Sequence, residues 1–198
     1  VLNRIKTDNE SIFYNVDYIH EAIHCNRQIS FQYYEWSTSK EMKLRRNGER
    51  YIVSPLGLIW DDENYYLIAY EEDNGIRHYR VDKMKSIEIM DEFRLEESGY
   101  REFDPAIYSN KVFGMYGGEL STVTLAFPEH LTGVMLDRFG KEVILRKDTT
   151  GYSIRTDIVI SDHFFGWLAG LGKSVKIVSP DDIRQQYKQY LSDILKEI

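Results

Sequence analysis

The chain of 198 residues is long enough for one large domain or two small ones. Its hydrophobic content of 42% is that of an ordinary globular protein, and its net charge of −7 argues against a protein that wraps DNA with an excess of lysine and arginine. The single cysteine, Cys25, excludes an internal disulfide framework. Because no apolar run approaches the roughly 20 residues that span a bilayer and no signal peptide is evident, we expect a cytoplasmic protein without a membrane partner.

The first half of the chain predicts one helix followed by several short strands. Apolar residues at spacings of three and four predict a helix over 15–27, and alternation from Ile29 predicts the first strand. A polar strand over 40–46 leads to Asn47-Gly48, a dipeptide typical of β-hairpins. Further strands are predicted at 51–60 (bent by Pro55 and Gly57), at 65–70 and 76–81 (paired as a hairpin), and at 84–90. Short strands paired in sequence order suggest a small, strongly bent sheet or partial barrel.

The second half predicts a separate domain. Asp104-Pro105 is typical of a helix start, so we expect a linking helix to about residue 113, followed by a flexible boundary at Gly117-Gly118. Strands are then predicted near 121–127, 143–145, 152–159 and 175–178, and helices at 129–139, 162–171 and after 179. Ser161 is expected to cap the second of these helices. The order is that of a ferredoxin-like βαββαβ domain with a terminal helix, so the whole chain is predicted to be α+β.

His20, Glu21 and His24 match the HExxH pattern of zinc proteases, and both imidazoles lie on one face of the predicted helix. Zinc hydrolysis also needs a third protein ligand and an open coordination position. No third ligand stands at the downstream spacing typical of such enzymes, and no Gly-rich phosphate loop is present. We therefore predict no catalytic residue, no metal and no cofactor, and a zinc hydrolase built on these three residues remains an alternative.

The strand at 76–81 leads into a cluster of polar and charged side chains. Alternation places His78, Arg80 and Asp82 on one face, with Tyr79 and Val81 on the other. The guanidinium of Arg80 is a planar fork that suits phosphate, and Asp82 can hold this fork in position or accept from a base or hydroxyl. Tyrosines that can stack on bases lie in neighbouring strands: Tyr33, Tyr66 and Tyr70. The alternative is that the tyrosines are half-buried sheet residues and that Arg80 and Asp82 form a surface ion pair.

Residues 51–93 resemble the WYL domain, the ligand-sensing module of many bacterial transcriptional regulators. Tyr65-Tyr66-Leu67 stands where the family has its Trp-Tyr-Leu triplet, with tyrosine in place of tryptophan. The segment before the triplet resembles the family's preceding strand through Tyr51, Val53, Pro55 and Leu58. The run His78-Tyr79-Arg80-Val81-Asp82-Lys83 resembles the family's closing motif, with lysine where arginine is more usual. The region from about residue 120 resembles the extension that often follows WYL domains.

The resemblance implies an Sm-like, strongly bent barrel over 15–97, a linker helix over 98–118 and a ferredoxin-like extension over 119–198. It also implies a homodimeric regulator whose winged helix-turn-helix contacts operator DNA. We expect this chain to be the effector-sensing fragment of such a regulator without that head, with 1–14 as a linker remnant. The expected effector is a nucleotide or single-stranded nucleic acid, and a structural dimerisation module with no small ligand is the alternative. The expected ligand-binding residues are Tyr33, Ser54, Tyr66, Tyr70, His78, Arg80, Asp82 and Lys83.

Overall fold

The computed structural model describes residues 11–148 and 151–198. The chain divides into two compact units after Pro105. Each unit combines helices with an antiparallel sheet, which confirms the predicted α+β class. No helix in the described part of the chain is long and apolar enough to cross a membrane. Of the predicted linker remnant, residues 1–10 lie outside the described residues.

The first unit is a curled antiparallel sheet packed against one helix. Helix α1 covers Ser11–His24 and therefore begins and ends about one turn earlier than predicted. The strands are β1 Arg27–Trp36, β2 Met42–Leu44, β3 Tyr51–Asp61, β4 Asn64–Glu71, β5 Gly75–Arg80 and β6 Met84–Phe93. They follow the order β2-β1-β3-β4-β5, and β6 also pairs with β1. The predicted β4–β5 hairpin is confirmed, as is the bulge in β3, where the register shifts between Pro55 and Gly57.

The core of this unit lies between the sheet and α1. Ile19 and Ala22 of the helix are fully buried against Phe31 of β1 and Leu67 of β4. The side chain of Asn15 donates hydrogen bonds to the carbonyl oxygens of Val81 and Met84, at 3.2 and 3.1 Å. Because a buried amide needs such partners, these bonds fix the helix over the turn that follows β5.

The hairpin predicted at Asn47-Gly48 is wrong. In the described residues β2 pairs with β1 and not with β3, and Arg45–Gly48 forms a short 3-10 turn between β2 and β3. Asn47 and Gly48 do take the left-handed conformation that they favour, with φ of 53° and 87°. However, Arg46 is also left-handed, with φ of 48°. The turn thus contains three consecutive left-handed residues and is not the two-residue turn of a hairpin between β2 and β3.

The second unit is a four-stranded antiparallel sheet with helices. Its elements are α2 Pro105–Lys111, β7 Glu119–Phe127, α3 Thr132–Phe139, β8 Arg146–Asp148, β9 Gly151–Ile160, α4 Asp162–Gly170, β10 Lys176–Ser179 and α5 Asp181–Lys196. The strand order is β10-β7-β9-β8. Ser161 caps α4 as predicted, because its hydroxyl accepts from the Phe164 amide at 3.3 Å. The strand predicted near 143–145 is wrong: Val143 and Leu145 pack against the core from a loop, and β8 follows them.

Candidate nucleotide or nucleic-acid site

Arg80 is the last residue of β5 and lies opposite Tyr66 of β4. Its Nε is 3.0 Å from Oδ1 of Asp82 and its Nη2 is 2.7 Å from Oδ2. Asp82 belongs to the turn after the strand, so the strand ends one residue before the predicted limit. This bidentate ion pair fixes the orientation of the guanidinium, and it leaves the Nη1 edge for another acceptor.

Lys83 adds positive charge beside this ion pair. Burial, together with the nearby charge of Arg80, lowers the pKa of Lys83. Its ammonium forms no ion pair with any residue that the structure describes. Since Arg80 and Asp82 compensate each other, Lys83 carries the net charge of this cluster. Burial also raises the pKa of Tyr66, against the opposing influence of the Arg80 charge.

Tyr33 supports Arg80 from the interior. Its hydroxyl accepts a hydrogen bond from the Arg80 backbone amide at 3.0 Å, and burial raises its pKa to about 12. Its ring is 8% exposed and lies edge-on against Phe31, Tyr51 and Tyr79, with centroid distances of 6.3, 6.1 and 5.4 Å. The ring was expected to stack on a base, but its neighbours cover it. The geometry fits a residue that positions Arg80.

Ser54 and Tyr70 lie apart from this cluster. Ser54 is fully buried, and its hydroxyl accepts from the Leu95 amide at 3.0 Å and from Gln28 Nε2 at 3.4 Å. It therefore holds the segment after β6 against β3. Tyr70 is half-buried and lies opposite Ser54 on β3. The structure thus brings together Tyr66, Arg80, Asp82 and Lys83, with Tyr33 behind them.

A cleft of about 570 Å³ lies beside Tyr33, and the sequence reasoning missed it. Its lining includes Tyr51, Tyr79 and His78 together with three arginines, Arg45, Arg46 and Arg77. We call it the arginine cleft. The Arg46 guanidinium carbon lies 4.1 Å from the centre of the Tyr51 ring, a cation–π contact. The signal in the sequence was the pair of consecutive arginines before Asn47-Gly48, which was interpreted only as part of a hairpin.

Two family models match the chain. The WYL domain matches residues 15–89, and the WCX domain matches residues 119–195. The chain therefore carries a WYL domain followed by a WCX domain. The suspected resemblance is therefore confirmed, and the Arg80 cluster and the arginine cleft both lie in the WYL domain.

Sixteen chains of solved structures are similar to this chain. Proteasome accessory factor B/C (PafBC) of Arthrobacter aurescens is 21% identical, with a TM-score of 0.40, over 98% of this chain and 28% of that chain. A CRISPR Cas-related protein is 15% identical, with a TM-score of 0.51, over 94% of this chain and 52% of that chain. The latter likeness shows a shared fold. This chain spans about half or less of the length of these two structures, and no curated protein matches it.

The triplet Tyr65-Tyr66-Leu67 of the WYL domain divides among three environments. Leu67 is fully buried in the core. Tyr65 is 38% exposed and packs edge-on against Trp60, with ring centroids 4.7 Å apart. Tyr66 is half-buried opposite Arg80. Of the three side chains, Tyr66 is the one that joins the charged cluster.

The HExxH residues lie on α1, where His20, Glu21 and His24 have exposed side chains. Within residues 11–148 and 151–198, no three His, Cys, Asp or Glu side chains lie close enough to hold a metal ion. A hydrolytic zinc site needs three protein ligands, and α1 supplies two histidines. The described geometry therefore gives the zinc alternative no support.

Proposed function

We propose that this chain is the effector-sensing part of a bacterial transcriptional regulator and that its WYL domain binds a nucleotide or single-stranded nucleic acid. The observation that carries the proposal is the Arg80 guanidinium, which Asp82 holds bidentately on the strand opposite Tyr66, with Lys83 nearby and in no ion pair with a described residue. The match of residues 15–89 to the WYL domain supports it. Operator DNA is the partner of the full regulator, through a helix-turn-helix outside this sequence, and the regulator acts as a homodimer.

The chemistry of the cluster suits a phosphate with an attached base. Phosphate oxygens accept charge-assisted hydrogen bonds from the remaining Arg80 nitrogen and from Lys83. The half-exposed ring of Tyr66 offers a surface for a base. All of the excess negative charge of the chain lies in residues 1–105, so this unit repels polyanions in general. Binding therefore depends on the local charges of the Arg80 cluster and not on the overall electrostatic field of the unit.

Helix α1 connects the Arg80 cluster with the N-terminal side of the chain. Asn15 of this helix donates to Val81 and Met84, the residues on either side of Asp82 and Lys83. An effector that prefers one position of this turn shifts α1 with it, by no more than its difference in affinity for the two positions. In the full regulator this shift is transmitted to the preceding DNA-binding segment.

We also infer the finer fold assignments. The curled sheet of the first unit, with its sequential pairing, supports an Sm-like barrel. In the second unit the order βαββαβ and the sheet order β10-β7-β9-β8 support a ferredoxin-like domain, with α5 as the terminal helix. Together they support a WYL domain near 15–97, a linking segment over 98–118 and an extension over 119–198.

The test is fluorescence anisotropy with labelled single-stranded DNA and RNA at two salt concentrations. Arg80→Ala is expected to weaken binding by about 1.5–3 kcal/mol, because a charge-assisted contact is lost. Arg101→Ala is the matched control, since Arg101 also lies 2.7 Å from a carboxylate, that of Glu96, but is exposed and outside the cluster. It is expected to leave the affinity unchanged.

Equal loss in Arg80→Ala and Arg101→Ala would show general charge attraction and would overturn the assigned site. Binding that falls as salt rises in the wild type, and that is lost in Arg80→Ala, supports a phosphate-reading sensor. If the wild type binds neither nucleic acid nor nucleotides, the structural dimerisation module becomes the better interpretation. Sedimentation of the chain with and without nucleotides then tests that second reading.

A further inference from the structure

Two arginines of the arginine cleft are already paired with carboxylates of the same chain. Nη2 of Arg46 lies 3.0 Å from Oε1 of Glu71, and Nε of Arg45 lies 3.0 Å from Oε2 of Glu35. The two arginines are consecutive in the turn between β2 and β3, whereas Glu35 belongs to β1 and Glu71 ends β4. The turn is therefore tied to two different strands by two ion pairs.

The two ion pairs differ in how firmly they hold. The Glu71 side chain is 12% exposed, and its Oε2 also lies 3.4 Å from the Tyr79 hydroxyl. Burial, followed by the charge of Glu71, raises the pKa of Tyr79, which keeps the phenol a donor to this carboxylate. Glu35 is 54% exposed, so water screens its attraction to Arg45. Glu71 is thus the stronger of the two internal partners.

The backbone of the turn depends on these side-chain contacts. Arg46 (φ 48°, ψ 37°) and Asn47 (φ 53°, ψ 27°) are both left-handed, a conformation that asparagine tolerates but that is unfavourable for arginine. Such a conformation persists only where the surroundings hold it. The holding contacts are the two ion pairs, the Arg46–Tyr51 contact and a hydrogen bond of 2.7 Å from Gln32 Nε2 to the Gly48 carbonyl.

Arg77 lies in the same cleft and forms no ion pair with any residue that the structure describes. It is the arginine that can meet an incoming anion without displacing a carboxylate. A larger cleft, of about 810 Å³, lies along α5, but its charged lining is mainly acidic, with Asp162, Asp193 and Glu197 against Lys196. The arginine cleft is therefore the better match for phosphate in spite of its smaller volume.

We propose that the arginine cleft is the polyphosphate-binding part of the effector site and that Glu35 and Glu71 occupy it in the free protein. Arg77 contacts the effector first. Further phosphates then replace Glu35 and Glu71 as the ion-pair partners of Arg45 and Arg46. Because the two carboxylates lie on different strands, a ligand with one phosphate replaces only one of them. The effector is thus an oligonucleotide or another ligand with two or more phosphates, and this conclusion rests on the proposed function.

The internal carboxylates act as built-in competitors, so their removal should strengthen binding. Glu71→Gln and Glu35→Gln keep the side-chain shape and remove the charge. Glu72→Gln is the matched control, since Glu72 is the exposed neighbour of Glu71 and its replacement changes the net charge equally. The probe is fluorescein-labelled (dT)10, measured by anisotropy. Glu71→Gln is expected to bind it about five- to tenfold more tightly than the control does, and Glu35→Gln about twofold.

A competition experiment tests the number of phosphates. Unlabelled (dT)4 is expected to displace the probe, whereas thymidine monophosphate at equal phosphate concentration is expected to displace it far less. Equal displacement by the two competitors would overturn the requirement for more than one phosphate. If urea unfolding shows that Glu71→Gln is unstable, Glu35→Gln still tests the competitor role of the carboxylates, because Glu35 is half-exposed.

The outcomes separate this inference from the proposed function. If the wild type binds, Arg80→Ala does not, and both Gln variants match Glu72→Gln, the competitor role of the carboxylates is overturned while the proposed function stands. If Glu71→Gln binds and the wild type does not, the competitor role is supported. If neither the wild type nor any Gln variant binds an oligonucleotide, the inference about the arginine cleft is overturned, and the proposed function then depends on nucleotide binding alone.

Discussion

Tyr33→Phe gives the sharpest test of how the Arg80 cluster is built. At pH 8 the variant loses the acceptor of the Arg80 amide, which lies 3.0 Å from the phenol oxygen in the wild type. Leaving this partly buried donor without a partner costs about 1–2 kcal/mol of the free energy of unfolding. The variant is therefore expected to be less stable than the wild type at this pH by that amount.

At high pH Tyr33→Phe is expected to become the more stable of the two proteins. Burial raises the pKa of Tyr33 from its ordinary value of 10.0 to about 12. Since the folded state holds this proton more tightly than the unfolded state does, the stabilisation is complete below pH 10 and is lost as the pH rises through 12. The wild type then loses about 1.4 kcal/mol by pH 11 and roughly 2.3 kcal/mol by pH 12, a loss that Tyr33→Phe does not share.

The two stability curves should therefore cross near pH 11. The assay is urea unfolding at pH 8, 10, 11 and 12 in a Trp167→Phe background, so that tryptophan fluorescence reports Trp36 and Trp60 of the WYL domain. Tyr14→Phe is the control, because Tyr14 is 68% exposed; its curve should follow that of the parent protein. Parallel curves for Tyr33→Phe and the parent would refute the assigned burial and hydrogen bond.

Two further substitutions test residues that, according to the structure, stabilise the fold. Ser54→Ala should lower the free energy of unfolding by about 1–3 kcal/mol, because the Leu95 amide loses its acceptor. Anisotropy should show unchanged oligonucleotide affinity, and a weakened affinity would indicate that Ser54 belongs to the ligand site. Ser161→Ala should cost about 0.5–2 kcal/mol in urea unfolding through loss of the α4 cap. No change would mean that the Phe164 amide is satisfied by another acceptor.

Local signals in the sequence were sufficient wherever the physical cause is itself local. Proline at the start of α2, the serine cap of α4 and the bulge between Pro55 and Gly57 were all predicted correctly. The errors arose where distant packing decides. Val143 and Leu145 are apolar because they cover a core from a loop, and alternation cannot distinguish this from a strand. The turn before β3 departs from a hairpin because its side chains reach β1 and β4.

The candidate site shows the same division. The Arg80–Asp82 pair spans two residues, so the sequence placed both groups together in advance. The Arg46–Glu71 pair spans 25 residues and exists only because β4 and the turn before β3 meet on the curled sheet. No spacing rule along the chain predicts such a contact. The arginine cleft therefore remained hidden until the strands were assembled.

The sequence by itself predicted the WYL domain, most of the order of helices and strands, and the proximity of Arg80 and Asp82. Only the tertiary structure decided which tyrosines are buried and which carboxylates reach the arginines. The physical reason is the curvature of the sheet. Alternation assigns side chains to two faces of a strand, but curvature decides whether a face is core, cleft or solvent. For this reason Tyr33 supports Arg80 from inside, while Tyr66 faces the charged cluster.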